Sequence, residues 1–131
     1  MSRLSAYTNA AIGTSSAPQI MVSLFQGALR NMRSAVGAFD RGDWKAGSEM
    51  AERAARIVLG LQGTLKAEMA PDLCARLTDL YTFVACRLGM AGVKFSSQHV
   101  REAERVFTPI ADAFVQAAST VSSEATARAA R

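Results

Sequence analysis

The sequence predicts an all-α fold, an antiparallel up-and-down four-helix bundle with a flexible N-terminal segment. Three observations predict it. Apolar residues recur at gaps of three and four along four successive stretches, the spacing of one helix face. The hydrophobic half of the chain is rich in Ala, Leu, Val and Met, and aromatics are only 7%, a mixture that favours helices over strands. The links between stretches are short, which makes neighbouring helices antiparallel. With 131 residues, 50% of them hydrophobic and 20% charged, the chain suits one globular domain and not a disordered one. The expected organisation is a flexible segment over residues 1–15, the bundle over 16–118 and a flexible tail over 119–131.

Helix one opens at Ser16-Ala17-Pro18-Gln19. Ser16 as N-cap and Gln19 three positions on form a capping-box pattern, and Pro18 falls in the first turn, where its missing N–H costs little. Its face runs Met21, Phe25, Ala28, Leu29, Met32, Val36, Phe39, widened by Ile20, Leu24 and Ala35. Gly27 inside that face predicts close approach of another helix, because a mid-helix glycine is otherwise a cost. Asp40-Arg41-Gly42-Asp43 is a turn in which Gly42 takes positive φ and Asp43 caps the next helix.

Helix two carries Met50, Ala54, Ile57, Val58, Leu61 and Leu65. Gly47, Gly60 and Gly63 leave it weak alone, so tertiary packing must hold it. Pro71 opens helix three, whose core stripe is Leu73, Leu77, Leu80, Tyr81, Val84, Leu88 and Ala91, with Gly89 and Gly92 marking a fraying end. Ser96 caps helix four, whose stripe is Val100, Ala103, Phe107, Ile110, Phe114 and Ala117. Pro109 inside it removes the bond to the Arg105 carbonyl and predicts a kink. From Ser119 onward no stripe is sustained beyond Val121, and the helix is expected to fray.

Chemistry is sparse. Cys74 and Cys86 are 12 positions apart in one predicted helix, about 18 Å by helix rise and beyond disulfide reach. Both are expected as reduced packing thiols. His99 is the sole imidazole, too little for a metal site, and is expected to be solvated in a first helical turn. There is no Ser/His/Asp set, phosphate-cradling glycine motif or carboxylate pair in an apolar setting. No enzyme, cofactor or metal is expected. No stretch has the length of unbroken apolar residues that a membrane span needs. Polar residues from Thr8 to Ser16 interrupt any signal-peptide core, so a cytoplasmic location is expected.

The net charge is +4 and the pI about 9.6, which would suit a nucleic-acid binder. The cations are scattered and interleaved with acids, as at Glu49, Glu52 and Arg53 or Arg101, Glu102, Glu104 and Arg105. That pattern favours a mixed solvated surface. A basic helical module for nucleic acid or an acidic protein partner stays as the alternative function.

Helix three has more apolar surface than one face can bury. Phe83, Cys86 and Met90 form a second stripe more than a right angle from Leu77, Val84 and Leu88, taking 100° per residue. Ile20 and Leu24 broaden helix one in the same way. Exposed apolar patches of this kind mark partner sites. The competing reading is an irregular bundle that buries both faces.

The order of these pieces resembles the flagellar secretion chaperone FliS family over about residues 5–118. The residues that carry the likeness are Ala6-Tyr7, Ser16-Ala17-Pro18-Gln19-Ile20, Leu24-Phe25-Gln26-Gly27-Ala28, Gly42-Asp43, Leu80-Tyr81-Thr82-Phe83 with Arg87-Leu88, and Asp112-Ala113-Phe114. Gln26 stands where the family has an acid, Gly92 where asparagine is usual, and Phe114 in place of tryptophan. The resemblance implies a cytoplasmic helical chaperone that binds the C-terminal segment of flagellin, blocks premature polymerisation and keeps the subunit exportable. It implies that the N-terminal stretch with Tyr7 lies over the bundle. Tyr7, Ile20, Leu24, Phe83 and Met90 are the expected partner-binding residues. A flagellar export-gate protein and a second copy of the chain, joined through the Phe83 stripe, are further partners compatible with this reading.

Overall fold

The computed structural model describes residues 18–130. Among them are four α-helices and no strand: α1 (Pro18–Asp40), α2 (Trp44–Gly63), α3 (Pro71–Lys94) and α4 (Ser97–Ala129). α1 and α3 each pack on both α2 and α4, so α1 and α3 stand on one diagonal of the bundle. The expected four-helix bundle is what forms. The predicted N-terminal segment and the Ser16 cap lie outside the described residues.

The helix starts obey local chemistry. The Asp43 carboxylate accepts the Ala46 N–H at 3.3 Å and caps α2. Gly42 before it has φ 78°, the left-handed conformation glycine adopts without a Cβ clash. Pro71 opens α3 behind Ala70. Ser96 occupies the N-cap of α4, but its hydroxyl lies 2.9 Å from His99 Nδ1 instead of capping the backbone. That contact leaves His99 half-buried.

Four faces meet in one core. Phe25, Met32, Ala35 and Phe39 of α1, Ala51, Ala54, Val58 and Leu61 of α2, Leu77, Tyr81, Val84 and Leu88 of α3, and Val100, Ala103, Phe107 and Phe114 of α4 are buried together. At its centre the Phe25 ring stacks on Phe114 at 4.8 Å and on Phe107 at 5.7 Å, and Tyr81 reaches Phe107 at 6.2 Å. Beside these rings remains a void of about 10 Å³ walled by Met21, Leu61 and Leu65, no larger than one water. Among the described residues every buried side-chain nitrogen and oxygen has a partner.

Several expectations need correction. Leu80 is exposed and Leu73 only half-buried, while Cys74, outside the expected stripe, is buried. Both Leu80 and Tyr81 are helical neighbours of Leu77; the larger ring claims the centre and turns Leu80 about 100° away. Cys86 is exposed as well, so it is not a packing thiol. Leu65 lies past the end of α2, half-buried in the link, and still packs on the core. α3 runs through Gly89 and Gly92 to Lys94 without fraying. The Ser48 hydroxyl donates to the Gly92 carbonyl at 2.9 Å and ties that end to α2. α4 has 33 residues, about 50 Å by helix rise. It passes Pro109 as one helix and continues past Ser119, with residues 123–130 all exposed. Beside the proline, the Thr108 hydroxyl donates to the Glu104 carbonyl at 2.8 Å.

The glycine that close packing requires is not Gly27. A Cβ there would meet Ile57 Cδ1 at 3.7 Å, an ordinary contact, whereas at Gly47 it would fall 2.5 Å from the Phe39 ring. The start of α2 can lie on the end of α1 only because residue 47 has no side chain.

Besides the Arg56–Glu52 pair along α2, three ion pairs among the described residues join neighbouring helices. Glu104 pairs with Arg33 of α1 at 3.1 Å, Arg101 with Asp40 of α1 at 2.8 Å, and Glu102 with Arg87 of α3 at 3.5 Å. All three are at least partly exposed, so each contributes about 0–1 kcal/mol and mainly fixes how α4 sits against its neighbours.

Truncating the filled core should be costly. Phe107→Ala and Leu77→Ala should each lower the free energy of urea unfolding by about 2–5 kcal/mol; a neutral result at either would place that residue on the wrong face. Gly47→Ala should destabilise by about 1–3 kcal/mol through overpacking against Phe39. Gly60→Ala, where nothing lies within 4 Å of the new Cβ, should stabilise by about 0.4–1 kcal/mol. Equal effects of the two alanines would show that Phe39 moves aside freely.

Candidate partner-binding site

Among the described residues the space beside the core rings is about one water in size, and the surplus apolar side chains stand on the outer surface. Among the described residues no group of three or more His, Cys, Asp or Glu converges as metal ligands would. No helix there is long and apolar enough to cross a membrane.

The outward face of α3 carries Phe83, 39% exposed, with Cys86 exposed and Met90 half-buried. These are the members of the predicted second stripe. The Arg87 guanidinium lies 5.2 Å from the centre of the Phe83 ring while its Nε holds Glu102. One cation thus steadies the aromatic ring and pairs with α4, leaving the far side of the ring open. On α2, Leu59 is half exposed and stands one turn from Gln62, whose amide donates to the Thr78 carbonyl and the Thr82 hydroxyl, each at 2.9 Å. Leu59 therefore borders the seam between α2 and α3, whereas Phe83, beside Arg87, stands on the side of α3 toward α4. Leu80, also exposed, extends the apolar surface along α3 toward α4.

Ile20 and Leu24 stand elsewhere. Ile20 is 59% exposed in the first turn of α1, and Leu24 one turn on is half-buried against the core. Since α1 and α3 are diagonal, this pair and the Phe83–Met90 pair belong to two separate faces. Tyr7 lies outside the described residues.

Sequence reasoning passed over Leu59 and the aromatic pair Trp44 and Phe95, which stack at 5.9 Å with both rings about half exposed. The signal for Leu59 was present, since Ile57-Val58-Leu59 is more apolar than one helix face can bury. Phe95 carried no such signal: it occupies the left-handed C-cap of α3, φ 54°, a place glycine ordinarily fills.

The surface is largely apolar, with the exposed Cys86 thiol its one free nucleophile among the described residues. It offers apolar side chains on two faces and one aromatic ring backed by a cation that also holds a carboxylate. Such a surface holds amphipathic segments by burying their apolar sides.

The sequence matches a family model described as "Flagellar protein FliS" over residues 1–121. It is also similar to the flagellar secretion chaperone FliS of Salmonella typhimurium strain LT2, 29% identical over 107 residues, which make up 81% of this chain and 79% of the relative. A match over nearly the whole chain, on a helical bundle whose extra apolar surface faces outward, places the protein: it belongs to the FliS family.

Proposed function

We propose that this protein is a cytoplasmic flagellar export chaperone that binds the C-terminal segment of flagellin, prevents its premature polymerisation and keeps it export-competent. One observation carries the reading. A chain of the FliS family packs a core with a void of only about 10 Å³ beside its central rings and still leaves large apolar side chains on two faces of the bundle. A monomer has no use for that surface, and a partner with amphipathic segments does.

The placement of the two faces bears on the partner. Ile20 and Leu24 on α1 and Phe83 and Met90 on α3 cannot be covered by one short helix, because the bundle stands between them. A segment that reaches both must wrap around it. Ordering such a segment costs several kcal/mol, offset only by a long apolar contact, which suits reversible binding of a disordered tail that has to be released later. Tyr7, on the N-terminal stretch, is proposed to contact the same surface.

Charging the α3 face should separate binding from folding. Phe83→Glu with Met90→Lys should melt within a few degrees of the parent, because Phe83 already faces water and loses a cation–π contact worth about 0.5–1 kcal/mol. The same pair should weaken the complex with a flagellin C-terminal peptide at least about tenfold by calorimetry, ~1.4 kcal/mol or more. Arg53→Glu, on an exposed part of α2, should change binding little. Unfolding of the double variant would make the stripe part of the core; full folding with unchanged affinity would place the peptide elsewhere.

A further inference from the structure

The end of the bundle where α1 meets α2 and α3 meets α4 has a composition unlike the rest. Trp44 of α2 and Phe95 at the C-cap of α3 stack at 5.9 Å and are 48% and 49% exposed; Val93 beside them is 78% exposed. Arg41, Lys45 and Lys94 flank these side chains, all exposed. None of the three makes a side-chain ion pair or hydrogen bond with the described residues. Of the acids nearby, Glu49 stands one turn further along α2 and two at the turn itself are occupied. Asp40 pairs with Arg101, and Asp43 caps α2.

The backbone supplies a second, independent observation. Phe95 has φ 54°, the only positive φ of a non-glycine residue among those described. The left-handed region is costly for a bulky side chain, and such residues gather at functional sites. The Phe95 and Ser96 N–H groups both donate to the Ala91 carbonyl, a glycine-type helix ending. An exposed aromatic ring is kept where glycine would be easier for both the backbone and the solvent.

We propose that this end of the bundle docks on an anionic phospholipid bilayer. Trp44, Phe95 and Val93 enter the headgroup–acyl boundary while Arg41, Lys45 and Lys94 meet lipid phosphates. Aromatic rings with an apolar body suit that boundary. Unpaired cations within a few residues of them add attraction to a negative surface. A bilayer fits better than a peptide, because the two rings stack on each other and close the gap between the turns. The result is a surface without a slot for an extended chain. This contact adjoins the Met90 end of the α3 face, one helical turn away, and involves none of the residues proposed to bind flagellin.

Trp44 is the sole tryptophan, so its emission reads the site directly in the full chain. With phosphatidylglycerol–phosphatidylcholine vesicles at low salt the emission should shift to the blue and be quenched by brominated acyl chains. Pure phosphatidylcholine vesicles and high salt should abolish both effects. The triple variant Arg41→Gln, Lys45→Gln, Lys94→Gln should bind the anionic vesicles at least about tenfold more weakly. The remote triple Arg53→Gln, Arg76→Gln, Arg105→Gln, with the same change in net charge, should stay within about threefold of the parent. Phe95→Gly relieves the left-handed strain, so it should fold at least as well and yet bind more weakly. No shift or quenching, an equal loss with the remote triple, or equal binding to neutral vesicles would overturn the proposal. So would the same shift with an acidic peptide or oligothymidylate but not with vesicles.

Discussion

Three phenylalanines and one tyrosine decide what the rest of this bundle can do. Phe25, Phe107, Phe114 and Tyr81 pack ring against ring and hold α1, α3 and α4 to a common centre. With the rings in place the interior is full; the space beside them is about the size of one water. Any further apolar residue has to face outward, because overpacking a filled core costs more than exposing the side chain. Tyr81 takes the interior and Leu80 is turned out; Val84 goes in and Phe83 goes out. The surplus surface of α3 is thus a direct consequence of how its core face is filled.

The periodic parts of the fold were legible in the sequence. The stripe from Val100 to Ala117 alternates gaps of three and four, and all six of its residues are buried. The turn at Gly42 and Asp43 could be read because each residue has a specific backbone task there. What could not be read depends on distances between helices. Gly27 and Gly47 look alike in sequence, and only the crossing of α1 and α2 shows that Phe39 fills the space over Gly47. The carboxylates of Glu102 and Glu104 looked locally paired with Arg101 and Arg105, yet they reach Arg87 and Arg33 on neighbouring helices. The continuation of α4 past Ser119 was missed because a run rich in Ser, Thr and Ala holds no stripe, although its alanines favour helix. Of the candidate site, the outward stripe of α3 was legible, and the up-and-down topology already implied that α1 and α3 are diagonal; the stacking of Trp44 on Phe95 was not, since periodicity does not place turn residues against one another.

Division of labour between faces gives the protein a simple physical logic. The core supplies stability through its buried stripes. In the proposed function the outer faces of α1 and α3 hold the partner, spread widely enough that a short peptide cannot satisfy both. A long segment that is disordered when free can wrap both faces, and the cost of ordering it keeps the complex reversible. The end with Trp44 and Phe95 lies beyond the last turn of α3 and adjoins only the Met90 end of its outer face.

The central claim is that the core is complete before any partner arrives. Methyl-labelled methionine spectroscopy tests it most directly, since Met32 is fully buried and Met90 sits half-buried on the outer face of α3. In the free chain Met32 should give one sharp, dispersed methyl resonance that stays in place when a flagellin C-terminal segment is added, while Met90 shifts. A Met32 resonance that is broad or near its random-coil position in the free chain, and moves only on binding, would contradict the claim: the partner would then be completing the core instead of covering a finished bundle.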